Sequence, residues 1–160
     1  MPTADLPLVH RNLPLLLLQA RERVISRFRP LLNAQHITEQ QWRIVRLLLE
    51  SGPLEPRQIG EACSISSPSL AGVLARMENL DLIARQRFDT DQRRVRVSLT
   101  DRSRALAERI APQIEAAYAA IEARIGTEFT QRMYATLDRL IAALDEEAAA
   151  TGARREPPPL

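Results

Sequence analysis

The stretch LIARQRFDTDQRRVRVSLT, Leu82–Thr100, decides how this chain is read. Ile83, Arg85 and Arg87 alternate with Ala84, Gln86 and Phe88, and Val95, Val97 and Leu99 alternate with Arg94, Arg96 and Ser98. A period of two on both sides of Asp89-Thr90-Asp91-Gln92-Arg93 predicts a β-hairpin with a polar tip. Arg85, Arg87, Arg93, Arg94 and Arg96 crowd into it, opposed only by Asp89 and Asp91.

Upstream the period changes to that of helices. Ser67 is expected to cap a helix through Leu70, Val73, Leu74 and Met77, with Pro68 at the first helical position, where its ring fits. A short helix, about Glu55 to Ala62, precedes it. Thr38-Glu39-Gln40-Gln41 fits a capping box and opens a helix through Trp42, Ile44, Val45 and Leu48 to Ser51-Gly52-Pro53. Apolar residues recur at helical spacing from Leu13 to Leu32, in a stripe too wide for one core to cover, so this single helix is expected to pack on more than one surface. Downstream, Thr100 caps a helix that Pro112 should kink, and Gly126-Thr127 separates it from a last one. The expected organisation is a flexible arm (1–12), a dimerisation helix (13–37), a winged helix-turn-helix (38–100), C-terminal dimerisation helices (101–150) and a proline-rich disordered tail (151–160).

Two short helices, a tight turn and an arginine-rich hairpin suit DNA. A helix fits the major groove with its N-terminal residues on base edges. The small residues Ser66, Ser69, Ala71 and Gly72, beside Ser67 and Pro68, let the second helix approach closely, and Arg76 is one turn further on, within reach of a phosphate or a guanine edge. An arginine at a hairpin tip can enter a narrow minor groove, where the negative potential is strongest. The plain alternative is a solvated hairpin with ordinary surface arginines.

Leu82-Ile83-Ala84-Arg85 and Asp91-Gln92-Arg93-Arg94-Val95-Arg96-Val97-Ser98-Leu99-Thr100 resemble the wing signature of the MarR family of bacterial transcriptional regulators. Its Asp-x-Arg is met by Asp91 and Arg93, its wing arginine by Arg85, and its Val-x-Leu-Thr ending by Val97–Thr100. Asp81 and Ser103 stand where that family usually has glycine. Leu18–Glu22, Thr38–Arg46 and Asp91–Arg94 are similar to the homoprotocatechuate-operon repressor branch, which includes repressors of fatty-acid efflux pumps. The resemblance implies a mainly α winged helix-turn-helix protein, a homodimer on a palindromic operator in double-stranded DNA. It also implies a repressor released by a small organic acid: an aromatic carboxylate such as a hydroxyphenylacetate or, alternatively, a fatty acid or other amphiphile.

The residues offer a separate clue to that acid. At about 100° per residue, Arg21 falls in the middle of an apolar arc of Val24, Phe28, Leu32 and Ile25. A guanidinium among apolar side chains calls for an anion, either a bound carboxylate or an acidic side chain of the partner subunit. Trp42 and Arg46, four apart on one face, offer an apolar wall with a second cation, or plain core packing. Phe28 and, in the arm, His10 complete the ligand candidates.

Composition excludes several classes. All 22 cations are arginine. Residues 1–104 carry 16 of them against 11 carboxylates, and residues 105–153 carry 4 against 8, so a basic front faces a polyanion and an acidic back does something else. A lone cysteine, Cys63, excludes a disulfide framework and a cysteine-rich zinc site; no metal or cofactor is expected, and packing is the expected role of that thiol. No apolar run reaches the roughly 18 residues of a membrane span, and no leader is evident, so a cytoplasmic location is expected. With two histidines far from that cysteine and no glycine-rich phosphate loop, no catalytic constellation is present. A helical protein–protein adaptor is the rival to a DNA reader.

Overall fold

The computed structural model describes residues 8–91 and 93–150. Most of the expected arm and all of the expected tail lie outside the described residues. The element order is α1 (Leu13–Ile25), α2 (Arg29–Ala34), α3 (Glu39–Ser51), α4 (Pro56–Cys63), α5 (Ser67–Asn79), β1 (Ile83–Arg87), β2 (Val95–Leu99), α6 (Asp101–Ile125) and α7 (Thr127–Ala150). The chain divides into two compact units after Ala117.

In the first unit the core gathers the inner faces of α3 to α5, both strands and the first half of α6. Ile44 and Val45, Ile59, Met77, Val97 and Ile110 are essentially fully buried. α3 starts as expected: Thr38 Oγ1 accepts from the Gln41 N–H at 3.2 Å, and Gln41 Oε1 accepts from the Thr38 N–H at 3.0 Å. The hairpin is antiparallel with Ile83 opposite Leu99, Arg85 opposite Val97 and Arg87 opposite Val95. Leu54 adds a bridge to β2, its N–H donating to Val97 O at 3.1 Å and its carbonyl accepting from the Val97 N–H at 2.7 Å. The wing therefore grows out of the helical core.

Two expectations change. The single helix of residues 13–32 is two helices, broken at Ser26–Phe28. Pro30 has no N–H to continue the ladder and its ring opposes the carbonyl four residues back, so it stands in the first turn of α2 instead. The cap of α5 is Ser66, in extended conformation, and not Ser67; Pro68 is then the second helical residue, where its missing N–H still costs no bond. α6 runs unbroken from Asp101 to Ile125 with Pro112 inside it.

Asp81 has φ +56°, the left-handed conformation for which glycine would be the usual choice. Its carbonyl accepts from Thr100 Oγ1 at 2.6 Å, which ties the end of α5 to the cap of α6. That bond uses only backbone at position 81, so Asp81→Gly keeps it while relieving the strain and an anionic charge beside a helix C-terminus. The variant is expected to gain about 0.5–1 kcal/mol in denaturant unfolding; a loss would mean that the aspartate side chain has a stabilising partner. Ser103, where glycine was also expected, is fully buried and donates to Thr100 O at 3.0 Å.

No residue of α1 is buried in the chain, and Leu13, Leu15 and Leu18 are each about half exposed. In the second unit α7 likewise buries nothing, and Phe129, Tyr134, Ile141 and Leu144 stand exposed along it. No described helix is long and apolar enough to cross a membrane.

Candidate nucleic-acid interface and effector surface

The turn between α4 and α5 is tight because Gly60 lets it be. A Cβ there would lie 3.2 Å from Ile65 O and 3.3 Å from Leu70 Cδ2. Ser64 turns the chain in left-handed conformation (φ +52°). Valine at position 60 must push α5 away, at a cost of about 1–3 kcal/mol in denaturant unfolding, with a parallel loss of duplex binding. Wild-type values for both would show that the turn tolerates bulk.

α5 presents Ser66, Ser67, Pro68, Ser69 and Ala71 to solvent, with Gly72 half-buried beside them. Arg76 is exposed, and its Nη1 would lie 3.4 Å from a Cβ on Gly72. The side chain thus reaches back along the helix toward its N-terminus, as long helical side chains do. Among the described residues Arg76 has no ion pair.

The wing arginines divide into two kinds. At the tip, the Arg93 N–H donates to Asp91 Oδ1 at 2.9 Å, while its guanidinium has no ion pair among the described residues. Arg85 and Arg94 are engaged: Arg85 Nε lies 2.7 Å from Glu78 Oε2 on α5, and Arg94 Nε donates to Glu55 Oε1 at 3.0 Å. Hydrogen bonding to Glu55 raises the Arg94 pKa further. Two guanidinium carbons lie over the Phe88 ring, Arg94 at 4.7 Å and Arg96 at 4.6 Å from its centroid. Neither Glu55 nor Glu78 was singled out in the sequence. Glu55 is 39 residues from its partner, and no local pattern reports such a pair.

The effector candidates separate as well. The apolar arc around Arg21 does not exist, because the α1–α2 break takes Phe28 and Leu32 out of its helix. Arg21 is half exposed and paired with Glu39 of the same chain. Glu39 also faces Arg29 at 3.5 Å and Arg43 at 2.9 Å, so one largely buried carboxylate serves three arginines from three helices. Arg29 in turn donates to Glu22 Oε2 at 2.9 Å and holds that carboxyl below its usual range, with smaller pulls from Arg29 and Arg21 charge. Phe28 is core, 5% exposed, and His10 is exposed ahead of α1. On α3, Trp42 and Arg46 are both half-buried and share a face with exposed Leu49. Arg46 forms a pair with Glu50 one turn on, 2.8 Å from Nη2 to Oε1.

Cys63 is buried, and desolvation raises its thiol pKa despite the Arg43 charge nearby. Its carbonyl accepts from Arg43 Nη1 at 2.8 Å, which joins α3 to the end of α4 just before the turn.

A helix-turn-helix whose second helix shows small residues and one unpaired arginine, beside a wing tipped by another, defines a winged-helix DNA-binding regulator. The MarR family model matches residues 37–95. The chain is 42% identical to the homoprotocatechuate degradative operon repressor of Escherichia coli over 84% of its own length and 90% of that protein's. It is also 42% identical to the HTH-type transcriptional regulator FarR of Neisseria gonorrhoeae, over 80% of this chain and 86% of that one. The structure of NadR in complex with 4-hydroxyphenylacetate superposes with a TM-score of 0.75 at 39% identity, covering 88% of this chain and 97% of that one. The chain belongs to the MarR family and is a DNA-binding transcriptional regulator, not an enzyme.

Proposed function

We propose that two copies of this chain bind a palindromic operator as a repressor, in the cytoplasm, and that a small aromatic carboxylate releases them. The observation that carries this reading is the pair of guanidiniums without an ion pair among the described residues, Arg76 on a recognition helix otherwise showing small side chains and Arg93 at the wing tip. Ser66, Ser67, Pro68, Ser69, Ala71 and Gly72 allow close approach to the groove; Arg76 and Arg93 carry the direct contacts, and Arg85 and Arg94 hold the wing. The apolar residues left exposed on α1, and separately on α7, are the surfaces for a second copy. Two recognition helices about 34 Å apart then meet successive major grooves.

For the effector, Trp42 and Arg46 form a better site than Arg21. An indole wall beside a guanidinium matches an aromatic ring that bears a carboxylate. The Arg46–Glu50 pair is an exposed pair within one helix, worth only about 0.3–0.5 kcal/mol, so exchanging Glu50 for an incoming carboxylate loses little from that pair. Arg21, by contrast, would have to abandon a carboxylate shared by three arginines. The same helix carries Arg43, bonded to the end of α4, so a ligand on α3 acts one contact away from the turn that sets α5. The ligand shifts the equilibrium only if it binds the operator-free arrangement more tightly. Likeness to the homoprotocatechuate operon repressor and to NadR with 4-hydroxyphenylacetate supports this choice.

The test is a mobility-shift titration on the promoter fragment beside the chain's own gene. Binding that falls steeply with salt and is reversed by 4-hydroxyphenylacetate supports the proposal. Release by a fatty acid alone favours the efflux alternative, and absence of duplex binding leaves the adaptor.

A further inference from the structure

Glu55 lies at the N-cap of α4, outside the recognition helix and outside the wing, yet it touches both the helical core and the wing. Its N–H donates to Gln58 Oε1 at 2.9 Å, so the residue is fixed to the first turn of α4. Its carboxylate receives Nε and Nη2 of Arg94, and the Arg94 guanidinium lies over the Phe88 ring, which Arg96 also approaches. Phe88 is held across the hairpin by its own N–H, which donates to Arg94 O at 3.2 Å. Leu54, the preceding residue, is bridged to Val97 of β2. Strand, ring, guanidinium and helix start thus form one closed cluster where the strands meet the wing tip.

We propose that Glu55 is a positioning residue for DNA recognition: through Arg94 it sets the pose in which the wing offers Arg93 to the groove. The inference rests on the DNA-binding reading above and reassigns Arg94 from contact to support. Electrostatics alone predicts the opposite effect of removing Glu55. Loss of a carboxylate beside a polyanion strengthens binding, and a freed Arg94 becomes one more phosphate partner. A fall in affinity is therefore a signature of positioning.

The experiment uses the full chain with Glu55→Gln, which keeps the shape of the side chain and removes its charge, together with Arg94→Gln and the double variant. Two readouts are followed: trypsin cleavage within the wing of the free protein, and the salt dependence of operator binding. The expected results are wing cleavage several-fold faster in Glu55→Gln, with cleavage elsewhere unchanged. Operator affinity should fall about tenfold over the two wings of a dimer, from loss of an ion pair backed by a cation–π contact. The slope of log K against log salt should stay as in wild type, and the double variant should be no worse than Arg94→Gln. Wild-type binding of Glu55→Gln, or a slope reduced by Arg94→Gln to match two lost phosphates, overturns the proposal. If wild type binds no duplex, the function itself fails; if it binds tightly and Glu55→Gln is indifferent, only the positioning role does.

Discussion

Arg76→Ala is expected to lower operator affinity by roughly 10² to 10³-fold, taking about 1.5–2 kcal/mol for a lost arginine–base contact in each of two half-sites. The effect is large because nothing among the described residues competes for the guanidinium. It is exposed, has no ion pair among the described residues, and lies back over Gly72 toward the end of α5 that meets the groove. For the same reason the substitution leaves unfolding nearly unchanged, so lost binding is not lost fold. A base contact and a phosphate contact differ in their salt signature. If Arg76 reads a guanine, discrimination at one operator position relaxes while the salt slope holds; if it neutralises a phosphate, the slope falls by about two for the dimer. A change of less than about threefold in affinity would remove Arg76 from the interface.

Arg46→Ala is expected to raise the concentration of 4-hydroxyphenylacetate needed for release by about 10- to 100-fold, the worth of one charged hydrogen-bonded pair. Operator affinity without the acid should stay as in wild type, since Arg46 belongs to neither α5 nor the wing. Arg21→Ala is the discriminating control. It removes one of three arginines around Glu39 and leaves Arg29 and Arg43 in place, so release should move by no more than about threefold. Should Arg21→Ala abolish release while Arg46→Ala does not, the acid binds between α1 and α3 and displaces Glu39.

The two results would separate what the sequence conveys from what it hides. The recognition unit was legible because its signals are local. Thr38 and Gln41 cap α3 within three residues, Pro68 marks a first turn, and the alternation around Asp89–Arg93 reports a hairpin. Two local competitions are settled only in the fold: Pro30 breaks the first helix because the ring cannot follow the ladder, and Ser66 outcompetes Ser67 as cap by one residue. The identity of the site residues was half legible. Residue type and spacing mark Arg76, Arg93, Trp42 and Arg46 as candidates, but they do not say which cations are already spent.

The one-dimensional chain determined the elements, their order and the basic face, because hydrogen-bonded turns and amphipathic stripes depend on neighbours a few residues away. Only the folded molecule decided that Arg94 belongs to Glu55, Arg85 to Glu78 and Arg21 to Glu39. Ion pairs form between groups brought together by core packing, across separations of 39, 7 and 18 residues respectively, and a Coulomb interaction depends on distance in space rather than along the backbone.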